Sequence, residues 1–192
     1  MCAVAWRWRA GINTFDEVSD LFNRHGGGAY FGEAVSQIEH ALQAAHFAAA
    51  DKAPDELILA ALLHDIGHLL QETPDHLADW HSDARHEVVG GAWLAQRFAR
   101  EISEPVRLHV PAKRFLCATD AGYVAKLSDA SIVTLKLQGG PMSAAEVARF
   151  QAEPFCAQAV QVRRCDDRGK IAGLKTRGLD DYRQLLQRLA LD

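Results

Sequence analysis

The run Leu57-Ile58-Leu59-Ala60-Ala61-Leu62-Leu63-His64-Asp65-Ile66-Gly67-His68 constrains this chain more than any other stretch. Its unbroken apolar start reads as a buried helix, and an imidazole and a carboxylate stand side by side at the end of it. They make poor core filler, because burying an ionised Asp is costly unless it is paired or bound to a metal. A metal uses both groups at once, since neutral imidazole and carboxylate are its commonest ligands apart from sulfur. The adjacent pair is common by chance; its apolar setting and the Ile-Gly-His that follows give it weight.

The composition narrows what such a site can serve. A chain of 192 residues, 48% of them hydrophobic, suits one domain (1–192) with a sizeable core. A net charge of −4 with dispersed basic residues argues against a nucleic-acid module. No apolar run approaches the roughly 20 residues of a membrane span. Arg7 and Arg9 interrupt the apolar stretch Ala3 to Trp8, so no signal peptide is expected. Cys2, Cys117, Cys156 and Cys165 show no CxxC spacing and read as free thiols of a reducing cytoplasm.

The pattern is helical nearly throughout and predicts an all-α domain. Thr14 with Glu17 reads as a capping box opening a helix to about Arg24, ended by Gly26-Gly27-Gly28, with a flexible loop through Gly32. His25 is assigned to that loop. Val35, Ile38, Leu42 and Ala45 recur at helical spacing, and a turn at Asp51–Pro54 leads into the helix carrying His64-Asp65. Gln71 to Ser82 is polar and reads as a loop. His86 starts a helix, Ser103 to His109 forms a short one closed by Pro111, and Leu127 to Leu137 fits helix or strand. Ser143 with Glu146 forms a second capping box, Pro154 starts a long amphipathic helix to Asp166, and an exposed helix spans Asp180 to Leu191.

Metal sites in helical bundles draw ligands from several facing helices, so the ligands scatter in sequence. The candidates here are His40, His64-Asp65, His86, His109 and Asp166, each on or at the end of a different expected helix. Four of them, His40, His64, Asp65 and Asp166, suffice for one hydrolytic metal. With His86 and His109 added and Asp65 bridging, six groups hold two metals. Asp167 rivals Asp166, and spacing alone does not choose between them. His46, His76 and His81 sit in polar contexts and read as non-ligands.

These residues carry a family resemblance. The pattern His40, His64-Asp65 and Asp166 resembles the HD-domain superfamily, helical metalloproteins that are mostly phosphohydrolases. Four stretches are similar to a smaller oxygenase branch that includes myo-inositol oxygenase and phosphonate-degrading enzymes. They are Tyr30-Phe31-Gly32-Glu33 through Gln37-Ile38-Glu39-His40, Leu63 to His68, Leu135-Lys136-Leu137-Gln138-Gly139-Gly140-Pro141-Met142, and Arg163-Arg164-Cys165-Asp166-Asp167. They cover roughly residues 30–170. Cys165 departs from the pattern, standing where the branch is expected to carry an aromatic residue.

The resemblance implies an HD-domain bundle with a buried pair of irons, mixed-valent Fe(II)/Fe(III), on His40, His64, Asp65, His86, His109 and Asp166. It favours Asp166 over Asp167 and makes Asp65 the bridge. The implied reaction cleaves the C–P bond of a 1-hydroxy-2-(amino or trimethylamino)ethylphosphonate with O2, releasing phosphate and glycine or glycine betaine. The primary amine is placed narrowly first. The implied phosphonate contacts are His68, Lys113, Ser131 and Arg163, with Lys113 and Arg163 binding substrate rather than metal. Spacing supports three of them: His68 is four residues after His64, Lys113 four after His109, and Arg163 three before Asp166. Tyr30 and Glu33 follow the triple glycine, where a loop can close over a site and receive the substrate's amine. By resemblance, Tyr30 also ligates one iron at rest. The competing readings are a metal-dependent phosphohydrolase of the wider superfamily and a non-enzymatic regulatory module.

Overall fold

The computed structural model describes residues 13–71 and 85–191. Ala3 to Trp8, Cys2, His76, His81 and nearly all of the loop expected at Gln71 to Ser82 lie outside them.

The described residues form a helical bundle. Helix α1 (Thr14–His25) is capped by Asn13, whose side chain accepts from the Asp16 N–H, so Thr14 is the first helical residue rather than the cap. His25 is the last residue of α1 and not part of the loop. Helix α2 (Gln37–Ala50) opens on a capping box of Ser36 with Glu39, a signal the sequence reading passed over. Helix α3 (Asp55–Leu63) stops just before the His-Asp pair and α4 (Ile66–Gln71) restarts after it. The single helix expected through His64-Asp65 is therefore two, with the pair at the junction.

Helix α5 (His86–Leu94) begins on His86 as expected. Helix α6 (Arg100–Thr119) is far longer than the expected Ser103 to His109, and it runs through both Pro105 and Pro111. Each proline removes an N–H from the ladder, at a cost of roughly 3 kcal/mol in a free helix. Here Ile102, Val106, His109, Val110, Lys113 and Leu116 are all buried along the same rod, and that packing outweighs the local cost. Helix α7 (Asp129–Leu137), capped by Ser128, resolves the segment that periodicity left open. Helix α8 (Ala144–Gln151) starts on the expected Ser143–Glu146 capping box. Helix α9 spans Cys156–Arg168, and α10 (Arg183–Leu189) follows a short 3-10 turn at Leu179–Tyr182.

Helix α6 is central, packing against α3, α5, α8 and α9, while α2 lies against α3 and α9. One apolar cluster joins Phe15 and Phe22 of α1 to Leu59, Leu62 and Leu63 of α3, Ile102 and Val106 of α6, Val162 of α9 and Leu186 of α10. The C-terminal helix is thus not simply exposed: Tyr182 and Leu186 enter this core, and the Leu191 N–H donates to the Arg97 carbonyl at 2.8 Å. Cys117, Cys156 and Cys165 are free thiols. No helix among the described residues is long and apolar enough to cross a membrane.

Candidate metal centre

The helices α2, α3, α5, α6 and α9 turn polar side chains toward one point in an otherwise apolar interior. His40, His64, Asp65, His68, His86, His109 and Asp166 are all buried. Consecutive residues on a regular helix point about 100° apart. At the junction of α3 and α4, His64 Nε2 nonetheless lies 3.3 Å from Asp65 Oδ2. His86, the first residue of α5, is set against α4 where the two helices cross almost in contact. A Cβ on Gly67 would lie 2.0 Å from the His86 carbonyl oxygen, so only glycine permits this approach.

The two oxygens of Asp65 face two sets of donors. Oδ2 lies 3.3 Å from His64 Nε2 and 3.6 Å from His40 Nε2. Oδ1 lies 3.2 Å from His86 Nε2 and 3.5 Å from His109 Nε2, with His68 Nε2 further off at 3.9 Å. Asp166 completes the first set, its Oδ1 3.4 Å from His40 Nε2 and its Oδ2 3.9 Å from His64 Nε2. Asp65 is placed as a carboxylate bridging two positions would be. Asp167 points elsewhere, to Tyr123 and Arg163.

The hydrogen bonds behind the imidazoles test whether metals fit. His40 Nδ1 donates to the Gly169 carbonyl at 2.8 Å, His64 Nδ1 to the Ala61 carbonyl at 2.8 Å, and His109 Nδ1 to the Val106 carbonyl at 2.7 Å. Carbonyls only accept, so these bonds put the neutral ring's proton on Nδ1 and turn the Nε2 lone pair inward. Yet His40 Nε2 and His64 Nε2 are 3.1 Å apart, two lone pairs that need a proton or a metal ion between them. His86 Nε2 and His109 Nε2 are also 3.1 Å apart, and His86 Nδ1 has no hydrogen-bond partner to fix its proton. Buried Asp166 Oδ1 has no hydrogen-bond partner and faces the same point. This donor set fits two metal ions, on His40, His64 and Asp166 and on His86 and His109, with Asp65 shared.

With only protons to supply positive charge, the histidines diverge. Burial opposes ionisation of His64, but the charge of Asp65, its hydrogen bond and Asp166 push the imidazole up to about 9. Burial takes His109 down to about 4 against the opposing pull of Asp65. Burial and the neighbouring imidazoles hold His68 well below the ordinary histidine range. Burial also works against the Asp65 carboxylate, yet His64 and the bonds from His109 and His86 keep it well below the ordinary range.

Beside this cluster lies a cavity lined by Tyr30, Phe31, His68, Lys113, Ser131, Thr134, Gln138, Arg163 and Lys170, among others. Lys113 continues α6 past Pro111, and its Nζ donates to Thr134 Oγ1 at 3.0 Å. Burial, helped by the charge of Arg163, brings its ammonium down to about 7. Arg163 Nη1 lies 2.7 Å from Asp166 Oδ2, its Nε donates to Tyr123 Oη at 3.0 Å, and it also pairs with Asp167. Arg163 therefore buttresses a candidate ligand while its side chain faces the cavity.

The loop after α1 covers the site. Tyr30 Oη donates to Asp65 Oδ2 at 2.9 Å, and its ring stacks on His40 with centroids 3.7 Å apart. Burial and the nearby Asp65 and Asp166 hold this phenol well above its ordinary value, so it is neutral. Phe31, at φ 48°, occupies the left-handed region, and its ring makes a T-shaped contact with His68. Glu33 does not line the cavity; its Oε1 lies 3.3 Å from Lys170 Nζ. Lys170 was missed by sequence reasoning, because it follows the end of α9 in an irregular segment with no periodicity to place it. Gln138 was missed as a cavity residue, although the Gln-Gly-Gly-Pro run containing it was noticed.

The fold and these side chains define a helical protein with two adjoining sets of groups that could hold metal ions. The sequence pattern of the HD domain family matches residues 37–167, and the chain belongs to that family. It is 46% identical to a hydroxymethylphosphonate dioxygenase of Gimesia maris over 87% of this chain and 85% of that protein. It is 43% identical to the [1-hydroxy-2-(trimethylamino)ethyl]phosphonate dioxygenase (glycine-betaine-forming) of Leisingera caerulea over 92% of this chain and 90% of that protein.

Proposed function

We propose that this protein is an iron-dependent oxygenase that cleaves the C–P bond of a small 1-hydroxyphosphonate with O2. The observation that carries the reading is the carboxylate of Asp65, shared between two imidazole pairs and adjoined by a cavity with three cationic side chains. The names of both relatives support it, since each denotes a dioxygenase acting on a hydroxyphosphonate. The donors, nitrogen and oxygen without thiolate, suit iron. A mixed-valent pair would supply the redox chemistry, with O2 as oxidant. In balance, hydroxymethylphosphonate and O2 would yield formate and phosphate, and the trimethylamino substrate would yield glycine betaine and phosphate.

The protein's part is positioning. His40, His64 and Asp166 would hold one ion, His86 and His109 the other, and Asp65 both. Lys113, Ser131 and Lys170 present an ammonium, a hydroxyl and a second ammonium to a phosphonate, with Arg163 behind them, and charge-assisted bonds of this kind fix its orientation. His68, neutral and stacked on His86 at 3.8 Å, offers a neutral hydrogen-bonding group at the same wall. Tyr30 and Phe31 exclude water from above, and Tyr30 must leave Asp65 for substrate to reach the ions. A reducing cytoplasm, which keeps thiols and ferrous iron reduced, suits such a protein.

The test is iron loading under anaerobic conditions, followed by O2 addition with hydroxymethylphosphonate, 2-amino-1-hydroxyethylphosphonate and its trimethylated analogue. Phosphate release matched by O2 uptake is expected. Phosphate release from phosphomonoesters without O2 would assign the site to hydrolysis instead.

A further inference from the structure

We propose that Lys170 determines which substrate tail the site accepts, by controlling whether the charge of Glu33 is available; this rests on the hydroxyphosphonate reading above. Lys170 lines the cavity between Ser131, on its wall, and Glu33, which stands just behind it. Its Nζ donates to Ser131 Oγ at 2.9 Å and Ser128 Oγ at 3.0 Å, on the wall where the phosphonate is placed. It also lies 3.3 Å from Glu33 Oε1, on the loop that covers the site. Two of the ammonium's three N–H donors serve these hydroxyls, and Glu33 is held by its charge alone. Glu33 Oε1 is buried without a hydrogen-bond partner, so Lys170 is its close counter-charge among the described residues.

The backbone holding Lys170 is fixed on both sides. Gly169 gives its carbonyl to His40 Nδ1 at 2.8 Å. Gln43 of α2 then clamps Ile171, accepting from its N–H at 2.9 Å and donating to its carbonyl at 2.8 Å. Lys170 thus cannot follow the covering loop when the loop moves. Its ammonium must choose between Glu33 and an incoming phosphonate.

That choice differs with the tail. A substrate carrying an ammonium can take Glu33 for itself, leaving Lys170 to turn to the phosphonate, so every charge keeps a partner. Hydroxymethylphosphonate has no cation to offer. With it, Lys170 must stay on Glu33, or a bare carboxylate would face a dianion in a poorly solvated cavity, which is strongly unfavourable. Removing Lys170 should therefore penalise the tail-less substrate far more than the ammonium-bearing one.

The experiment measures binding of hydroxymethylphosphonate and 1-hydroxy-2-(trimethylamino)ethylphosphonate to the iron-loaded full chain without O2, by calorimetry. The wild type is compared with Lys170→Met and Glu33→Gln, each checked for folding by circular dichroism. In Lys170→Met the preference for the trimethylated compound should rise by about tenfold or more, and in Glu33→Gln it should fall by about tenfold. Equal weakening of both ligands in Lys170→Met would make Lys170 a structural support and overturn the inference. Should that variant not fold, Glu33→Gln decides alone, and an unmoved preference there overturns it too. A wild type that binds neither phosphonate defeats the proposed function, and this inference with it; binding with unmoved preferences defeats only the inference.

Discussion

At the residue scale, the division of Asp65 between two donor sets makes its removal unlike that of its neighbours. Asp65→Ala should abolish binding of both ions, because Oδ1 and Oδ2 each serve one set. His86→Ala should retain the ion held by His40, His64 and Asp166, leaving about one ion per chain by metal analysis after gel filtration. Equal retention in the two variants would mean that Asp65 is not shared. Lys113 and Arg163 separate in the same way. Lys113→Ala should keep both ions and lower kcat/KM roughly 30- to 1000-fold, or ~2–4 kcal/mol, through a lost buried charge contact. Arg163 was expected from sequence to serve substrate alone, but it braces Asp166 at 2.7 Å. Arg163→Ala should therefore lower ion occupancy as well as substrate binding, and an unchanged metal content would return it to a purely substrate role.

At the element scale, the crossing of α4 and α5 sets where His86 stands. A Cβ at Gly67 would meet the backbone of His86 at 2.0 and 2.7 Å and Gly90 N at 3.0 Å, and backbone cannot swing aside as a side chain can. Gly67→Ala should cost about 1–3 kcal/mol of stability and weaken the ion on His86 and His109 more than its neighbour. Thermal melting and metal analysis together check this; a stable variant with full occupancy would show that the crossing has slack. The same scale explains where periodicity misled. Pro111 reads locally as a helix end, and the long α6 exists only because its buried residues pack along the bundle. The helix through His64-Asp65 reads as continuous, because nothing local marks a break at two residues whose side chains both serve the site.

At the scale of the whole molecule, the donor cluster draws on five helices between residues 37 and 168, so ions would bind the folded chain and not the unfolded one. Chelating them should lower Tm by roughly 5–10 °C, the counterpart of ~2.7 kcal/mol for ligand at a hundredfold excess over Kd. In the stripped protein, His64 has a folded pKa of about 9 against an ordinary 6.5. Its contribution to stability is fully present below about 6.5 and is lost as pH rises through about 9. Lys113, lowered to about 7 from 10.5, works in the opposite sense over that range. The clean measurement is therefore the Tm difference between wild type and His64→Asn in chelator, which should shrink from pH 6.5 to 9. A constant difference would remove Asp65 as the source of the shift. Much of this molecule is determined by sequence alone. The helical class, the HD pair and the Ser143–Glu146 cap follow from local patterns of polarity and residue type, and the six candidate ligands from those patterns together with the family resemblance. What only the tertiary structure supplied is geometry: Asp166 rather than Asp167 beside His40, one Asp65 oxygen toward each imidazole pair, Arg163 against Asp166, and Lys170 between Ser131 and Glu33. These depend on distances between segments up to 137 residues apart, from Glu33 to Lys170, and no periodicity encodes the direction of a side chain that follows a helix end.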